Sequence, residues 1–177
     1  MNRLTQVIQA AVVVTGTAVL LGRAVAAADY QGTGDDYAQI SNILRVYSWG
    51  LDYHDGPMWA SAFTPNGEFH DQQYCLIGSA QIAAVAAGRN PSATPQVPKS
   101  HHIVEMGPLT FQDRNHATMK NYVMVVGDVS RDQSINGGIR ITGLYEDTLE
   151  RLNGKWLIAK RIEYSPGDKP PASCPGK

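Results

Sequence analysis

The chain lacks most of the features that usually betray a function. Its 177 residues include only two cysteines, Cys75 and Cys174, and five histidines. Neither cysteine stands at a ligand spacing from a histidine, so no metal site is expected. Charge of one sign is also missing: 15 basic and 16 acidic residues leave a net charge of -1, and no basic stripe offers itself to nucleic acid. There are no internal repeats, which excludes solenoids and propellers. What remains is 43% hydrophobic and 18% charged residues, the mixture of a folded domain of ordinary size.

The one long apolar run, residues 7–21, lies between Arg3 and the small-residue stretch 24–28. A basic start, an apolar middle and an A-x-A-like end form the pattern of a secretory signal, so residues 1–28 are expected to be cleaved on export to the periplasm or exterior. Interrupted by Thr, Gly and Gln, the run is short and polar for a membrane span, and no stable insertion is expected after cleavage. Export would permit a Cys75–Cys174 bridge, although spacing leaves two free thiols equally open.

Beyond a flexible lead (29–35), Asp36 with Gln39 three residues on reads as a capping box. Ile40, Ile43, Leu44, Tyr47 and Leu51 recur at helical spacing, predicting an amphipathic helix from Asp36 to about Tyr53. A short helix is predicted over 57–63, with Pro57 in its first turn. Residues 64–67 read as a turn, 68–77 as a strand pair or extended arm, and 79–87 as a third helix. Pro91, Pro95 and Pro98 break residues 88–99 into a loop. The second half changes character: 100–111, 117–126, 138–152 and 155–164 are β-like, separated by turns at 113–115 and Asn153-Gly154 and a polar loop at 128–136. Helices followed by an antiparallel meander predict an α+β fold, helices packed on one face of a curved sheet. A Pro-rich tail (165–177) follows.

Asp52 stands at the C-terminal end of the first helix, where a carboxylate gains nothing from the helix dipole. Fifty residues on, His101 and His102 open a strand. A carboxylate and an imidazole brought together make an acid/base pair, and Tyr47 lies five residues before the acid. Alternation does not choose between the histidines, because a one-residue slip exchanges them. Trp49, Asn121, Tyr122, Arg140 and Tyr145 are further candidates for a pocket wall, with only one of Asn121 and Tyr122 able to face inward. The bland alternatives are a surface acid for Asp52 and core packing for Tyr47 and for Trp49, Trp59 and Trp156. His54, His70 and His116 are expected in solvent.

Leu51-Asp52-x-x-Asp55 with Trp59, Phe63 and Gly67-x-Phe69 resembles the first-helix region of SnoaL-like proteins of the nuclear transport factor 2-like superfamily. Gly78-x-x-x-Ile82 is similar to their third helix. The stretch from Gly143-x-Tyr145-x-Asp147 through Gly154-x-Trp156-x-Ile158-x-x-Arg161 resembles their closing hairpin. The likeness covers about residues 36–164. It implies a conical α+β barrel: three helices cupped by a strongly curved antiparallel sheet around a deep pocket. In the cofactor-free lyases of that group (scytalone dehydratase, lindane dehydrochlorinase, bile-acid 7α-dehydratase), an Asp ending the first helix pairs with a strand His. Asp52 matches that Asp, His101 best matches that His, and Tyr47 matches a Tyr of the bile-acid enzyme. The resemblance therefore implies a cofactor-independent dehydratase-type lyase or isomerase acting on a small apolar ring-bearing molecule. Asp52, His101 and Tyr47 would be catalytic, and Trp49, Asn121, Tyr145 and His102 would line the substrate site. A homodimer or homotrimer is a common habit of the fold. Because the superfamily also contains non-catalytic members, a secreted binding protein or a dimeric interaction domain remains the alternative.

Overall fold

The computed structural model describes residues 30–88, 100–127 and 138–171. The chain runs α1 (Gly34–Asp52), α2 (Gly56–Ser61), β1 (Phe63–His70), β2 (Cys75–Ile77), α3 (Ser79–Gly88), β3 (Ser100–Phe111), β4 (His116–Gly127), β5 (Gly138–Leu152) and β6 (Lys155–Tyr164). The expected signal segment, residues 89–99 of the proline-broken loop, the whole loop before β5 and the end of the Pro-rich tail lie outside the described residues.

α1 begins two residues earlier than its periodicity predicts, because Thr33 and not Asp36 is the N-cap. Thr33 Oγ1 accepts from the Asp36 N–H at 3.2 Å, and the Thr33 N–H donates to Asp36 Oδ2 at 2.7 Å. The capping box is thus Thr33–Asp36, worth about 1 kcal/mol. Its buried stripe is the expected one: Ile40, Ile43, Leu44, Tyr47 and Leu51 all face the core. At Gly50 a Cβ would come within 2.3 Å of the Trp59 backbone nitrogen, so glycine lets α2 cross α1 backbone to backbone. His54, at φ +58°, turns the chain between them, and Asp55 caps α2 by accepting from the Met58 N–H at 2.9 Å.

One six-stranded sheet has the order β2-β1-β6-β5-β4-β3. It is mixed rather than antiparallel: β1 pairs with β6 in parallel. The strand that follows the helices joins the far edge of the meander, a pairing between distant segments that leaves no local mark in the sequence. With β2 and β3 as free edges, the sheet is an open curved half-cone, not a closed barrel. Residues 64–67 do not form a free turn; they are an irregularity inside β1, which faces Ile158 at Phe63 and Lys160 at Glu68. Asn153 and Gly154 both have positive φ (51° and 81°) and close the β5–β6 hairpin as expected.

Three helices cover the concave face. Tyr47, Trp59, Phe63, Phe69 and Tyr145 form the aromatic centre of the core, all 3% exposed or less. The narrow end is closed by Asp36, which accepts from Trp156 Nε1 at 2.9 Å and from the Tyr30 hydroxyl at 2.5 Å and pairs with Arg151. His70, expected in solvent, is buried and meets Glu68 at 3.1 Å two residues back on the same strand face. Cys75 is disulfide-bonded; Cys174, the other cysteine, lies outside the described residues.

Candidate functional site

Inner-face rows of the sheet, read from the open end, begin with His102–Val125–Ile141 and pass through Val104–Val123–Gly143 to Met106–Asn121–Tyr145. The next row is Leu109–Met119–Asp147–Arg161. α1 lies across these rows with its C-terminal end at the first of them.

There Asp52 meets His102, not His101. Asp52 Oδ1 is 2.5 Å from His102 Nδ1, and the carboxylate also accepts from the His102 backbone N–H, at 3.0 Å to Oδ2 and 3.2 Å to Oδ1. β3 is an edge strand, so its outward N–H groups are free of sheet pairing, and Asp52 takes one of them. Against an ionised carboxylate, which only accepts, Nδ1 is the nitrogen that carries a proton, and in the neutral ring Nε2 then holds the lone pair. The side chains are 13% (His102) and 7% (Asp52) exposed: shielded, although His102 lines a cleft.

His101 is exposed on the outer face, in register with Val126. The reason is a bulge. From Phe111 back to Leu109 the inward residues of β3 are odd-numbered; from Met106 to His102 they are even-numbered. Gly107 and Pro108 oppose the single residue Lys120 between these stretches. A Cβ on Gly107 would sit 2.1 Å from the Lys120 carbonyl oxygen, so only glycine fits there. Gly-Pro inside a β pattern was the available sign of a bulge.

Tyr47 is a core residue. Its ring is fully buried against Trp59, Phe63 and Tyr145, and the Arg161 guanidinium carbon lies 4.0 Å from its centroid. No hydrogen bond joins it to Asp52 or His102. Tyr145 is equally buried, with Arg161 4.1 Å from its centroid. Both hydroxyls and Arg161 Nη1 lie close together without a well-aligned hydrogen-bond partner. Burial pushes the Tyr47 hydroxyl up to about 12 against the opposing pull of Arg161, and burial likewise raises Tyr145. Both stay protonated at neutral pH and can act only as uncharged donors or acceptors.

The feature that sequence reasoning passed over is the ion pair beneath them. Arg161 donates to Asp147 through Nε and Nη2, each at 2.7 Å, and Asn121 donates to the same carboxylate at 2.8 Å. Burial works against the guanidinium's charge, but the Asp147 charge and hydrogen bonds outweigh it and raise Arg161 further. Asn121 thus faces inward as one of the two permitted choices, but its amide is committed to Asp147 and to the Gly107 N–H. Tyr122 points outward and is 63% exposed; Arg140 is exposed too. Trp49, a candidate for core or pocket, is 58% exposed and stacks on Tyr53 at 5.2 Å. Trp59 and Trp156 are core as expected.

Beside the dyad, between α1 and the edge strand β3, is a cleft of about 240 Å³ lined by Arg45, Ser48, Trp49, His102, Val104 and Met106 among others. A groove of about 310 Å³ at the open end borders Ile141, Gly143 and Glu163. Another hollow, of about 410 Å³, involves Lys120, Glu146 and Lys160 and touches neither dyad residue. No metal-holding group of His, Cys, Asp or Glu occurs among the described residues.

A helix-covered open sheet with an Asp–His pair between its first helix and its edge strand defines the class, and sequence comparison defines the family. The SnoaL-like domain model matches residues 33–162, and the chain belongs to that family. A search of curated proteins found no match. Among similar solved structures is ActVI-ORFA from Streptomyces coelicolor, 22% identical, TM-score 0.63, covering 76% of this chain and 97% of that one. A scytalone dehydratase-like protein from Novosphingobium aromaticivorans is 17% identical, TM-score 0.57, covering 81% and 95%. A protein from Catenulispora acidiphila solved in complex with S-DNPA is 19% identical, TM-score 0.56, covering 74% and 93%. At these identities they show a shared fold, described for other similar structures as NTF2-like and cystatin-like.

Proposed function

We propose that the protein is a cofactor-independent lyase or isomerase of a small ring-bearing molecule, with Asp52 and His102 as its acid/base dyad. The observation that carries this reading is the double attachment of Asp52 to His102, which holds the ring in one tautomer beside the cleft that His102 lines. His102 Nε2 takes a proton from a carbon next to a carbonyl, and the C–H electron pair moves into a new double bond. In an elimination, the neighbouring carbon–oxygen bond breaks, and His102 returns the proton to the departing hydroxide as water. In an isomerisation, the proton returns to another carbon. The Asp52 charge stabilises the imidazolium between the two steps. Tyr47 and Tyr145 are wholly buried, and the row of Tyr145 lies about 13 Å deeper than His102, four residues along a strand, so both pack the core and take no part in the proton transfer.

The natural substrate need not be identified for the test. Incubation in D₂O with a panel of cyclic ketones and β-hydroxy ketones, read by mass spectrometry, reports α-proton exchange. Exchange that disappears in Asp52→Asn with the fold intact supports the dyad; exchange that survives removes it. A second reading, a dimeric interaction domain without turnover, is favoured by the complete burial of Tyr47, Tyr145 and Arg161, which fill the inner rows. It predicts self-association with no exchange in any variant.

Export is a further part of the proposal, supported by the disulfide at Cys75, which an oxidising compartment permits. So is a homodimer or homotrimer through the outer sheet face, where Ile103 and Tyr122 are 50% and 63% exposed; light scattering would settle its mass.

A further inference from the structure

We infer that the cleft beside the dyad binds the carboxylate of a small aromatic or alicyclic acid, with Arg45 as the anion anchor and Trp49 as the ring contact. The inference rests on the dyad reading for its catalytic meaning, though not for its binding test.

The cleft is made by two regular faces. Ser41, Arg45, Ser48 and Trp49 share one stripe of α1, at offsets of four, seven and eight residues. His102, Val104 and Met106 are alternate residues of β3 and share its inner side. The resulting hollow has apolar walls (Leu44, Val104, Met106), two serines and two basic side chains, with no acid among its lining residues.

Arg45, like Lys155 and Lys169, faces no carboxylate among the described residues, but it lines this cleft. Lys120, Arg151, Lys160 and Arg161 each face a carboxylate. Arg45 is exposed and makes no ion pair, hydrogen bond or ring contact among the described residues. A guanidinium is charged at any working pH, and its planar fork suits a carboxylate, which it can hold through two parallel hydrogen bonds. Standing four residues on, one helical turn along, Trp49 presents more than half of its surface, propped by the parallel Tyr53 ring. A volume of about 240 Å³ suits a one- or two-ring molecule rather than a larger one. An acid held by Arg45 with its ring on Trp49 would lie against His102, a polar wall of the same cleft beside Ser41 and Ser48.

The probes are 2-naphthoate and its neutral isostere 2-naphthamide, titrated into the full chain near pH 8 and followed by tryptophan fluorescence. Trp59 and Trp156 are buried, so Trp49 dominates the quenching. The acid should bind about tenfold more tightly than the amide, the gain of one exposed charge-assisted pair. Arg45→Gln should erase that preference without weakening the amide, and Arg45→Lys should restore part of it. Trp49→Ala, which removes the fluorescent reporter, should weaken both probes when binding is followed by titration calorimetry. Raised salt should weaken the acid alone. The inference is overturned if neither probe binds, if the wild type does not prefer the acid, if the preference survives in Arg45→Gln, or if His102→Gln abolishes it. In the last case the imidazole, and not Arg45, holds the anion. No proton exchange in the wild type, with the acid preference intact, would sink the dyad and spare this site; the reverse pattern would sink this site alone.

Discussion

His102 is attached to Asp52 by both its ring and its own backbone N–H, so the carboxylate clamps an edge strand to a helix end as well as orienting an imidazole. The two functions can be separated. Replacing the ring leaves the main-chain contact in place, whereas removing the acid disturbs both.

The first prediction uses that separation. His102→Gln should lower α-proton exchange by roughly a hundredfold or more, the usual worth of a positioned general base, while His101→Gln should change it less than about twofold. Deuterium incorporation measured on both variants decides. Equal losses would return His101 to the site, and a null effect in His102→Gln would remove the imidazole from the chemistry.

A second prediction concerns the Asp147–Arg161 pair. Asp147→Leu strands a fully buried guanidinium and should cost about 3–5 kcal/mol. The double variant Asp147→Leu/Arg161→Met should cost less than the sum of the two single changes, because the charges leave together. Urea unfolding of the four proteins measures the coupling; strict additivity would show that the pair is not a unit.

Helix crossing supplies a third. Gly50→Ala places a methyl group 2.3 Å from the Trp59 backbone nitrogen. Backbone cannot rotate away, so α1 and α2 must separate at a cost of roughly 2 kcal/mol. For a domain of this size that is a fall in Tm of about 4–8 °C. An unchanged melting curve would mean that the two helices do not cross at this point.

The fourth concerns alkaline stability. The Tyr47 hydroxyl is raised from 10.0 to about 12 in the folded state. Its contribution to stability is therefore complete below pH 10, shrinks as the unfolded chain ionises first, and is gone once pH passes about 12. Tyr47→Phe should flatten the decline of Tm between pH 10 and 12, with the remaining slope owed partly to Tyr145, which shifts in the same direction. A slope identical to wild type would mean that Tyr47 ionises freely in the folded protein.

Much of the fold is local and can be read from the chain. The apolar stripe of α1 and the ends of β3, β5 and β6 follow from periodicity and turn chemistry, the Asn153-Gly154 turn above all. The parallel β1–β6 pairing does not, because it joins segments with most of the domain between them. Trp49 shows the limit of composition: a tryptophan on a helix reads as core, but its place on the stripe toward β3 leaves it in solvent.

The site itself turns on parity. Sequence determined that an acid would end the first helix, that two histidines would open a strand, and that Tyr145, Asp147 and Arg161 would lie in the closing hairpin. Only the tertiary structure decided which of them meet. One bulge at Gly107–Pro108 sends His102 inward and His101 outward. A second register shift, beside Ala159, brings Arg161 rather than Lys160 opposite Asp147. Side chains of a strand alternate with a period of two, so a single inserted residue reverses every face beyond it. Whether a residue is inserted is set by the pairing of whole strands, here by the close approach of Gly107 to the Lys120 carbonyl.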